Sequence, residues 1–308
     1  MSAAAPLALP ARAARLRAAQ MARIGRDLLE LTKPKVQSLL LLITVFSMYI
    51  AGKPSPLLVA ATCLGGYLSA GGAGAVNHYL DRDIDAQMAR TANRPLPAGR
   101  IPAPAALAFG CTLAALSVIE LTLAVNPLAA ALSFAGFLGY VVLYTMILKR
   151  RTAQNIVWGG AAGAMPPLVG FAAVRGSVSA LALILFFIVF FWTPPHFWSL
   201  SLLMKGEYER VGVPMLPVAQ GETETRRQIL LYTVLLYMIT QLPFCAGALG
   251  PFYLIASILL GLLFIAGALR LYRSGSPAAQ RRDALRLYLF SLAYLALLFG
   301  AMVIDVRL

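Results

Sequence analysis

Long apolar stretches alternate with short polar segments along almost the whole chain. A helix needs about 20 mostly apolar residues to cross a bilayer, and nine stretches reach or approach that length. They cover residues 36–52, 56–78, 103–124, 128–148, 153–173, 179–203, 228–249, 252–271 and 285–304. The pattern predicts an all-α, polytopic membrane protein in which a domain of nine transmembrane helices (32–308) follows a short N-terminal segment (1–31).

The composition excludes an ordinary soluble protein, because 60% of the residues are hydrophobic and only 12% are charged, against roughly 25% charged residues in a soluble domain. The net charge of +14 has a simple source, since the cytoplasmic loops of membrane proteins collect Lys and Arg. With nine spans, 23 of the 26 basic residues fall on the side of the N-terminus. We therefore expect a cytoplasmic N-terminus, an outer C-terminus and no nucleic-acid partner.

The segment 1–31 is interpreted as a basic cytoplasmic segment of a protein embedded in the lipid bilayer of the bacterial inner membrane. Residues 1–26 are rich in Ala and Arg and contain no acid, so a mitochondrial transit segment and a mitochondrial inner-membrane location are the alternative. We favour the bacterial interpretation because the arginines can simply hold the N-terminus inside.

The few acidic residues are concentrated in two places. Seven of the 12 lie in segments that follow the second and the sixth apolar stretch, four spans apart. They are Asp81, Asp83 and Asp85 in the first segment, and Glu207, Glu209, Glu222 and Glu224 in the second. The equivalent positions suggest that both segments open on a shared cavity.

The first acidic segment continues the second span, so we predict that it is helical. Asn77, Asp81 and Asp85 then lie at i, i+4 and i+8 and present three oxygen ligands on one face. Mg²⁺ suits such a set, because it takes carboxylate and amide oxygens and is often completed by substrate phosphates. The alternative is a solvated helix end paired with nearby arginines. Asp83 points away from this face, and we expect it to pair with a basic neighbour.

The loop that follows contains Asn93-Arg-Pro-Leu-Pro-Ala-Gly-Arg100, which cannot continue the helix. It can fold back over the acidic segment. Arg94 precedes a proline and is a candidate for a bidentate phosphate contact.

The motif Asn77-x-x-x-Asp81-x-x-x-Asp85 after a transmembrane span resembles the first aspartate-rich motif of the UbiA superfamily of intramembrane prenyltransferases. Further segments resemble the members of that superfamily that prenylate haem. They are Asp81-Arg-Asp-Ile-Asp85, Asn93 to Arg100, Lys149-Arg-Arg-Thr152, Trp192-Thr-Pro-Pro-His-Phe-Trp198 and Gly212-Val-Pro-Met-Leu-Pro-Val218.

The resemblance implies nine helices around a central cavity that opens to the cytoplasmic side. It also implies an enzyme that ionises farnesyl diphosphate with Mg²⁺ and joins the farnesyl group to a vinyl group of haem B, giving haem O and diphosphate. Asn77, Asp81 and Asp85 would bind the Mg²⁺-diphosphate unit and act in catalysis. A haem A synthase is the implied partner that receives the product.

The second acidic segment departs from the wider superfamily, most members of which carry a second aspartate-rich motif there. This chain has Lys205, Glu207, Tyr208 and Glu209 instead, which puts a second Mg²⁺ in doubt. Lys205 is a candidate for a catalytic residue that neutralises diphosphate directly. Glu207, Tyr208 and Glu209 remain candidates for the second motif.

Stabilising the departing diphosphate requires positive charge. Arg94, Lys149, Arg150 and Lys205 are the candidates for this role. For Lys149 and Arg150 the alternative is a plain topological anchor. Tyr140 and Tyr144, at i and i+4 just inside the span, could favour a nearby cation.

His196 is the preferred haem ligand or propionate contact, because an ionisable side chain within an apolar span suggests a function. Trp192 and Trp198, with the two prolines between them, suit a locally opened helix beside a flat macrocycle. The alternative for His196 is a hydrogen bond to the backbone of another helix.

Two rival functions remain at this point. A sister prenyltransferase would act on an aromatic quinone precursor, but the thinned second motif and the tryptophan-rich segment argue against it. A secondary transporter would hold its acids near the middle of the bilayer, whereas these lie at one edge.

Overall fold

The computed structural model describes residues 8–308, with side chains from residue 19 onward. Residues 1–7 and the side chains of Arg12, Arg15 and Arg17, on which the interpretation of the basic N-terminal segment partly depends, lie outside the described residues.

Within the described part of the chain, all long elements are helices and no strand occurs. They are α1 (Ala8–Leu31), α2 (Pro34–Ala51), α3 (Pro56–Leu80), α4 (Ala103–Ala124), α5 (Pro127–Leu148), α6 (Asn155–Arg175), α7 (Ala180–Leu203), α8 (Gly221–Cys245), α9 (Pro251–Tyr272) and α10 (Pro277–Asp305). Helices α2 to α10 are long and apolar enough to cross a membrane, which gives nine candidate spans over residues 8–308. The predicted all-α membrane architecture is confirmed.

Two spans begin earlier than the hydrophobic pattern predicts. Helix α8 starts at Gly221 instead of 228, and α10 starts at Pro277 instead of 285. The added turns are polar, so a prediction based on the length of the apolar stretch does not include them. At α10 the start is set by Ser276, whose Oγ accepts a hydrogen bond from the backbone N–H of Ala279 (3.3 Å), with proline at the first helical position.

Close helix packing depends on glycine where α3 crosses α4. A Cβ at Gly72 would lie 2.6 Å from the carbonyl oxygen of Gly110, and one at Gly110 would lie 2.8 Å from the carbonyl oxygen of Gly72. Such mutual approach of two backbones is how membrane helices gain contact without a hydrophobic driving force. The pair fixes the position of α3, which carries the first acidic segment.

Two spans, α5 and α6, depart from a regular α-helix. Over Gly139–Leu148 the helix α5 widens into a π-helix, in which the backbone N–H of Lys149 reaches the carbonyl oxygen of Tyr144 (2.8 Å). Helix α6 is interrupted between Gly163 and Pro166. Helix α7, in contrast, is continuous through Pro194 and Pro195. The local opening that we expected at those prolines is not found.

Each acidic segment begins with a six-residue helix directly after its span, and Glu222 and Glu224 of the second segment lie in the first turn of α8. The first covers Arg82–Gln87 after α3, and the second covers Lys205–Arg210 after α7. Tyr208 of the second helix belongs to the same buried hydrophobic cluster as Ile84 and Met88 at the first. Because both short helices follow an even-numbered span, they lie at the same end of the bundle. Among the described residues, the shared cavity that we expected is not found, since no residue of the second segment lines the cavity described below. Helix α1 is held at this end by Arg100, whose Nε donates to Asp27 (2.8 Å).

Candidate active site

The three residues of the first motif are all buried, although the helix that carries them is interrupted. Helix α3 ends at Leu80, and Asp81 joins it to the short helix Arg82–Gln87. The backbone N–H of Asp81 still bonds the carbonyl oxygen of Asn77 (2.9 Å), and that of Asp85 bonds the carbonyl oxygen of Asp81 (2.8 Å). Asn77, Asp81 and Asp85 are 3%, 2% and 4% exposed, so these polar side chains need internal partners.

Asn77 is hydrogen-bonded at both ends of its amide group. Its Nδ2 donates to Asp81 Oδ2 (2.7 Å) and to Thr145 Oγ1 (3.1 Å), and its Oδ1 accepts from Lys33 Nζ (2.6 Å). Thr145 lies on the π-helix and donates to the carbonyl oxygen of Tyr140 (2.8 Å). The widened helix thus brings a hydroxyl into the first motif.

Each buried carboxylate is paired with a cation. Lys149 Nζ lies 2.5 Å from Asp81 Oδ2, and Arg94 Nη1 lies 2.7 Å from Asp85 Oδ2. The loop that carries Arg94 is fastened by Thr91, whose Oγ1 donates to the carbonyl oxygen of Asp85 (2.8 Å). Two of the four cations that we predicted to bind diphosphate therefore lie directly against the acids of the first motif.

Asp83 lies outside this buried cluster and pairs with Arg150, which confirms that it has a basic partner. Both Asp83 oxygens accept from the guanidinium of Arg150 at 2.7 Å. These hydrogen bonds lower the pKa of Asp83 to about 2. Arg150 Nη2 is also 3.8 Å from Asp81 Oδ1, so this arginine lies at the rim of the cluster.

Lys33 and Thr145 are two residues of the site that the sequence analysis did not select. Lys33 adopts φ +54°, the only positive φ of a residue other than glycine among those described, and such strained backbone is often found at functional sites. Its Nζ lies 5.8 Å from the ring centroid of Tyr140. Desolvation, followed by the charge of Arg94, lowers the pKa of Lys33 to about 8. A lysine directly before the proline of a membrane span was the available signal.

The oxygen donors of the first motif fit a hard cation that arrives with a phosphate ligand. Among the residues that the structure describes, no three His, Cys, Asp or Glu side chains form a preformed metal cluster. However, Asp81 Oδ1 is buried without a hydrogen-bond partner, which is costly unless a ligand satisfies it. Mg²⁺ keeps few protein ligands and takes substrate phosphates, so Asn77, Asp81 and Asp85 suit it without a full cage.

An apolar cavity of about 240 Å³ adjoins the polar cluster. Lys33 and Tyr140 lie on its wall, and the remaining wall comes from α2, α3, α5 and α6. The break in α6 contributes Gly163, where an added Cβ would meet nothing within 4 Å. In contrast, a Cβ at Gly159 would come within 2.4 Å of Tyr144 Cδ2. The glycines of α6 therefore serve both helix packing and the cavity.

The second acidic segment contributes unequally to this end of the bundle. Lys205 Nζ pairs with Glu222 Oε1 (3.1 Å), so it is engaged away from the acids of the first motif. Tyr208 is buried and Glu209 is exposed. Glu207 Oε2 is buried without a hydrogen-bond partner. Of the candidates for a second motif, Glu207 and Tyr208 point into the protein.

His196 is held between two aromatic rings. The ring centroids of Trp192 and Tyr288 lie 4.3 Å and 4.9 Å from that of His196. His196 Nδ1 is 2.7 Å from Ser291 Oγ, and Trp192 Nε1 donates to the carbonyl oxygen of Ser291 (2.8 Å). The alternative for His196, a hydrogen bond to the backbone of another helix, is not found as stated: the imidazole bonds a side chain of α10, and it is the indole of Trp192 that bonds the backbone.

Trp198 does not share the surface of Trp192. It is 1% exposed and packs edge-on against Tyr232 of α8, with ring centroids 5.2 Å apart. Residues four apart lie on one helix face, whereas residues two or six apart do not. The expectation that Trp192 and Trp198 flank one macrocycle is therefore wrong, because Trp192 faces α10 and Trp198 faces α8.

Comparison with solved structures supports the fold. The chain is similar to a digeranylgeranylglyceryl phosphate synthase, with a TM-score of 0.75, 20% identity and coverage of 92% of this chain and 99% of that one. It is also similar to a UbiA homologue from Archaeoglobus fulgidus bound to GPP and Mg²⁺, with a TM-score of 0.63, 16% identity and coverage of 90% and 99%.

Among curated relatives, a protoheme IX farnesyltransferase of Roseiflexus sp. (strain RS-1) is 53% identical over 91% of this chain and 52% of its own length. One of Symbiobacterium thermophilum is 50% identical over 93% of this chain and 96% of its own length. The chain thus spans about half the length of the first of these relatives and nearly all of the second. The model of the UbiA prenyltransferase family matches residues 40–300. The chain belongs to the UbiA prenyltransferase family.

Proposed function

We propose that the chain transfers the farnesyl group of farnesyl diphosphate to a vinyl group of haem B, forming haem O and releasing diphosphate. The observation that carries the prenyl-transfer part is the buried pairing of Asp81 with Lys149 and of Asp85 with Arg94, next to an apolar cavity. The choice of haem B as acceptor is supported by the relatives named protoheme IX farnesyltransferase.

The polar cluster suits the diphosphate end of the substrate. Mg²⁺ held by oxygens of Asn77, Asp81 and Asp85 would neutralise the diphosphate and improve it as a leaving group. Lys149, Arg94 and, from its strained position, Lys33 place positive charge where the negative charge of diphosphate grows as the allylic bond breaks. Charge fixed in advance by ion pairs needs little reorganisation during the reaction.

The apolar cavity suits the farnesyl tail. It begins at Lys33 and reaches Thr44 along α2, a distance of about 16 Å at the rise of an α-helix. Excluding water from such a space protects an allylic cation from premature capture. Tyr140 and Tyr144, whose ring centroids are 5.5 Å apart, present aromatic faces at the polar end, where a cation would be stabilised.

Haem B is the proposed acceptor, with His196 as the preferred contact. Because Ser291 Oγ donates to the carbonyl oxygen of Tyr288 (2.6 Å), His196 Nδ1 donates to Ser291 Oγ. Nε2 then keeps a lone pair, which suits haem iron better than a propionate. The vinyl group would attack the allylic carbon, and water would add to the cation formed next to the porphyrin ring, with loss of one proton. With diphosphate as the leaving group, these steps account for all atoms of the hydroxyethylfarnesyl group of haem O. A haem A synthase is the proposed recipient.

The proposal also includes the orientation of the protein in the membrane and the assignment of its two segments. We place the protein in the bacterial inner membrane with the polar cluster on the cytoplasmic side, where the basic residues collect. Segment 1–31 is then cytoplasmic, and 32–308 is the prenyltransferase domain. Arg150, Glu207 and Tyr208 remain candidates at the rim of the site. Lys205 also remains a candidate, although it pairs with Glu222.

The activity is tested by incubating the purified protein with haem B, farnesyl diphosphate and Mg²⁺ and measuring the mass of the porphyrin product. We expect Asp81→Asn to lower turnover by about 100-fold or more, while Asp83→Asn, the matched change two residues away, retains most of it. A farnesylated product formed from 4-hydroxybenzoate but not from haem B would favour the quinone-precursor rival. Full activity of a double Asp81→Asn/Asp85→Asn variant would reject the proposed site.

The haem contact is tested separately by titrating haem B and recording the Soret band. His196→Ala is expected to alter the band and weaken binding. Ser291→Ala keeps the imidazole and should have a smaller effect. An unchanged titration of His196→Ala would remove this assignment without affecting the proposed diphosphate site.

A further inference from the structure

Three arginines converge on one buried carboxylate where α9 meets α10. Asp283 is 5% exposed, and its Oδ1 lies 3.6 Å from Arg270 Nε, 3.6 Å from Arg282 Nε and 3.9 Å from Arg286 Nη1. This turn is at the same end of the bundle as the polar cluster. It includes none of the residues assigned to prenyl transfer.

The three guanidinium groups are not satisfied by the carboxylate they surround. Their distances exceed those of a hydrogen bond, and Asp283 Oδ1 is buried without a hydrogen-bond partner. The other oxygen, Oδ2, accepts from Ser274 Oγ (3.0 Å). The arginine side chains are 65%, 56% and 60% exposed. The cluster therefore carries an excess of positive charge, and its guanidinium groups have donors that Asp283 does not use.

Two of these arginines lie at the ends of apolar stripes on the outer surface. Along α9, Arg270 follows Leu259, Leu262 and Leu263, which share its helix face and are 59%, 51% and 59% exposed. Along α10, Leu289 and Leu297 lie on the face of Arg286 and are 54% and 57% exposed. Exposed leucines on a membrane span face lipid, so the arginines lie where headgroups begin.

We infer that Arg270, Arg282 and Arg286 bind the phosphate of an anionic phospholipid, whose acyl chains lie along the exposed leucines of α9 and α10. Guanidinium forks match phosphate oxygens in charge and geometry, and basic pockets between membrane helices hold such headgroups. A diffuse positive-inside charge would not require three guanidinium groups around one carboxylate. The proposal does not depend on the reaction that the protein catalyses.

Binding is tested with the full-length protein in phosphatidylcholine nanodiscs, by titrating phosphatidylglycerol and counting bound lipid by native mass spectrometry. The variant Arg270→Gln/Arg286→Gln is expected to bind about 100-fold more weakly, since the direct contact of each guanidinium group with a charged phosphate is worth about a 10-fold factor. The matched control is Arg273→Gln/Arg281→Gln, which removes two exposed arginines of the same turn that form no ion pair with the acids described. Equal losses in the two variants, or no loss in the first, would overturn the proposal.

A variant that gains binding guards against loss through misfolding. Asp283→Asn removes the negative charge at the centre of the cluster and should tighten phosphatidylglycerol binding several-fold, whereas unchanged or weaker binding contradicts the proposed geometry. Inorganic phosphate is added as a competitor to separate the two sources of phosphate. We expect it to displace the lipid poorly, because it lacks the acyl chains; displacement at concentrations similar to the lipid would identify a site for free phosphate instead.

Discussion

The ion pair of Asp81 and Lys149 can be dissected by a double-mutant cycle. The two side chains are only 2% and 14% exposed, and their charged atoms are 2.5 Å apart. Asp81→Asn would leave Lys149 without its partner in a largely dry position. Lys149→Met would leave Asp81 with Asn77 Nδ2 as a donor and Arg150 at 3.8 Å.

Breaking a buried pair by removing one partner costs about 3–5 kcal/mol, because the other charge stays buried. We expect Lys149→Met to fall within this range and Asp81→Asn near its lower end, since the amide keeps the shape of the carboxyl group. The double variant leaves two neutral groups, so its cost should be smaller than the sum by about 1–3 kcal/mol. For Asp83→Asn, whose pair with Arg150 is 57% and 41% exposed, about 1 kcal/mol or less is expected.

The assay is reversible unfolding in mixed micelles with increasing SDS, followed by the fluorescence of the three tryptophans. Activity is measured on the same preparations, and the turnover of Asp81→Asn and of the double variant should both be lower by about 100-fold or more. A double variant that is more stable than the sum of the single variants predicts, but is equally impaired in turnover, would therefore separate the structural role of the pair from its role in catalysis. Single variants that each cost less than about 1 kcal/mol, or a double variant that equals their sum, would refute a coupled buried pair.

Three further outcomes follow from other contacts. Lys33→Gln should raise the KM for farnesyl diphosphate about 10-fold or more, as expected for losing a charged contact to a charged ligand, whereas Lys35→Gln, an exposed lysine two residues away, should not. Gly163→Phe should fill the apolar cavity and raise the KM for farnesyl diphosphate by about 10-fold, with a smaller effect on dimethylallyl diphosphate; equal effects on both would contradict its place beside the tail. Gly72→Ala would press a methyl group against a backbone oxygen at 2.6 Å and should cost about 1–3 kcal/mol in the unfolding assay, while Gly300→Ala, with open space, should be neutral or stabilising.

The spans could be predicted because each requires a long apolar run, and a membrane leaves the backbone little choice except a helix. The ends of α8 and α10 were missed because their first turns are polar and protrude beyond the apolar run. The π-helix of α5 and the break in α6 have no signal in the hydrophobic pattern. The break in α6 has a local cause instead, because Pro166 and Pro167 lack the backbone N–H groups that would continue the helix.

Helical spacing alone predicted that the side chains of the first motif lie together. The helix ends at Leu80, but the i→i+4 hydrogen bonds continue through Asp81 and keep these side chains on one side. Lys33 could not be found this way, because its contribution depends on a left-handed backbone conformation and on Asn77, 44 residues away. The placement of Trp198 could have been foreseen. Trp192 and His196 are four residues apart and share a face, whereas Trp198 is two residues further and does not.

The cations of the polar cluster have donors to spare, which bears on how the site treats an anion. Lysine carries three N–H donors and arginine five. Among the described contacts Lys149 gives one to Asp81, and Arg94 gives one to Asp85. The carboxylates thus fix the positions of both cations without using up their donors. An arrangement that served only stability would satisfy these donors within the protein. Unused donors beside an apolar cavity instead suit a ligand that is anionic at one end and apolar at the other.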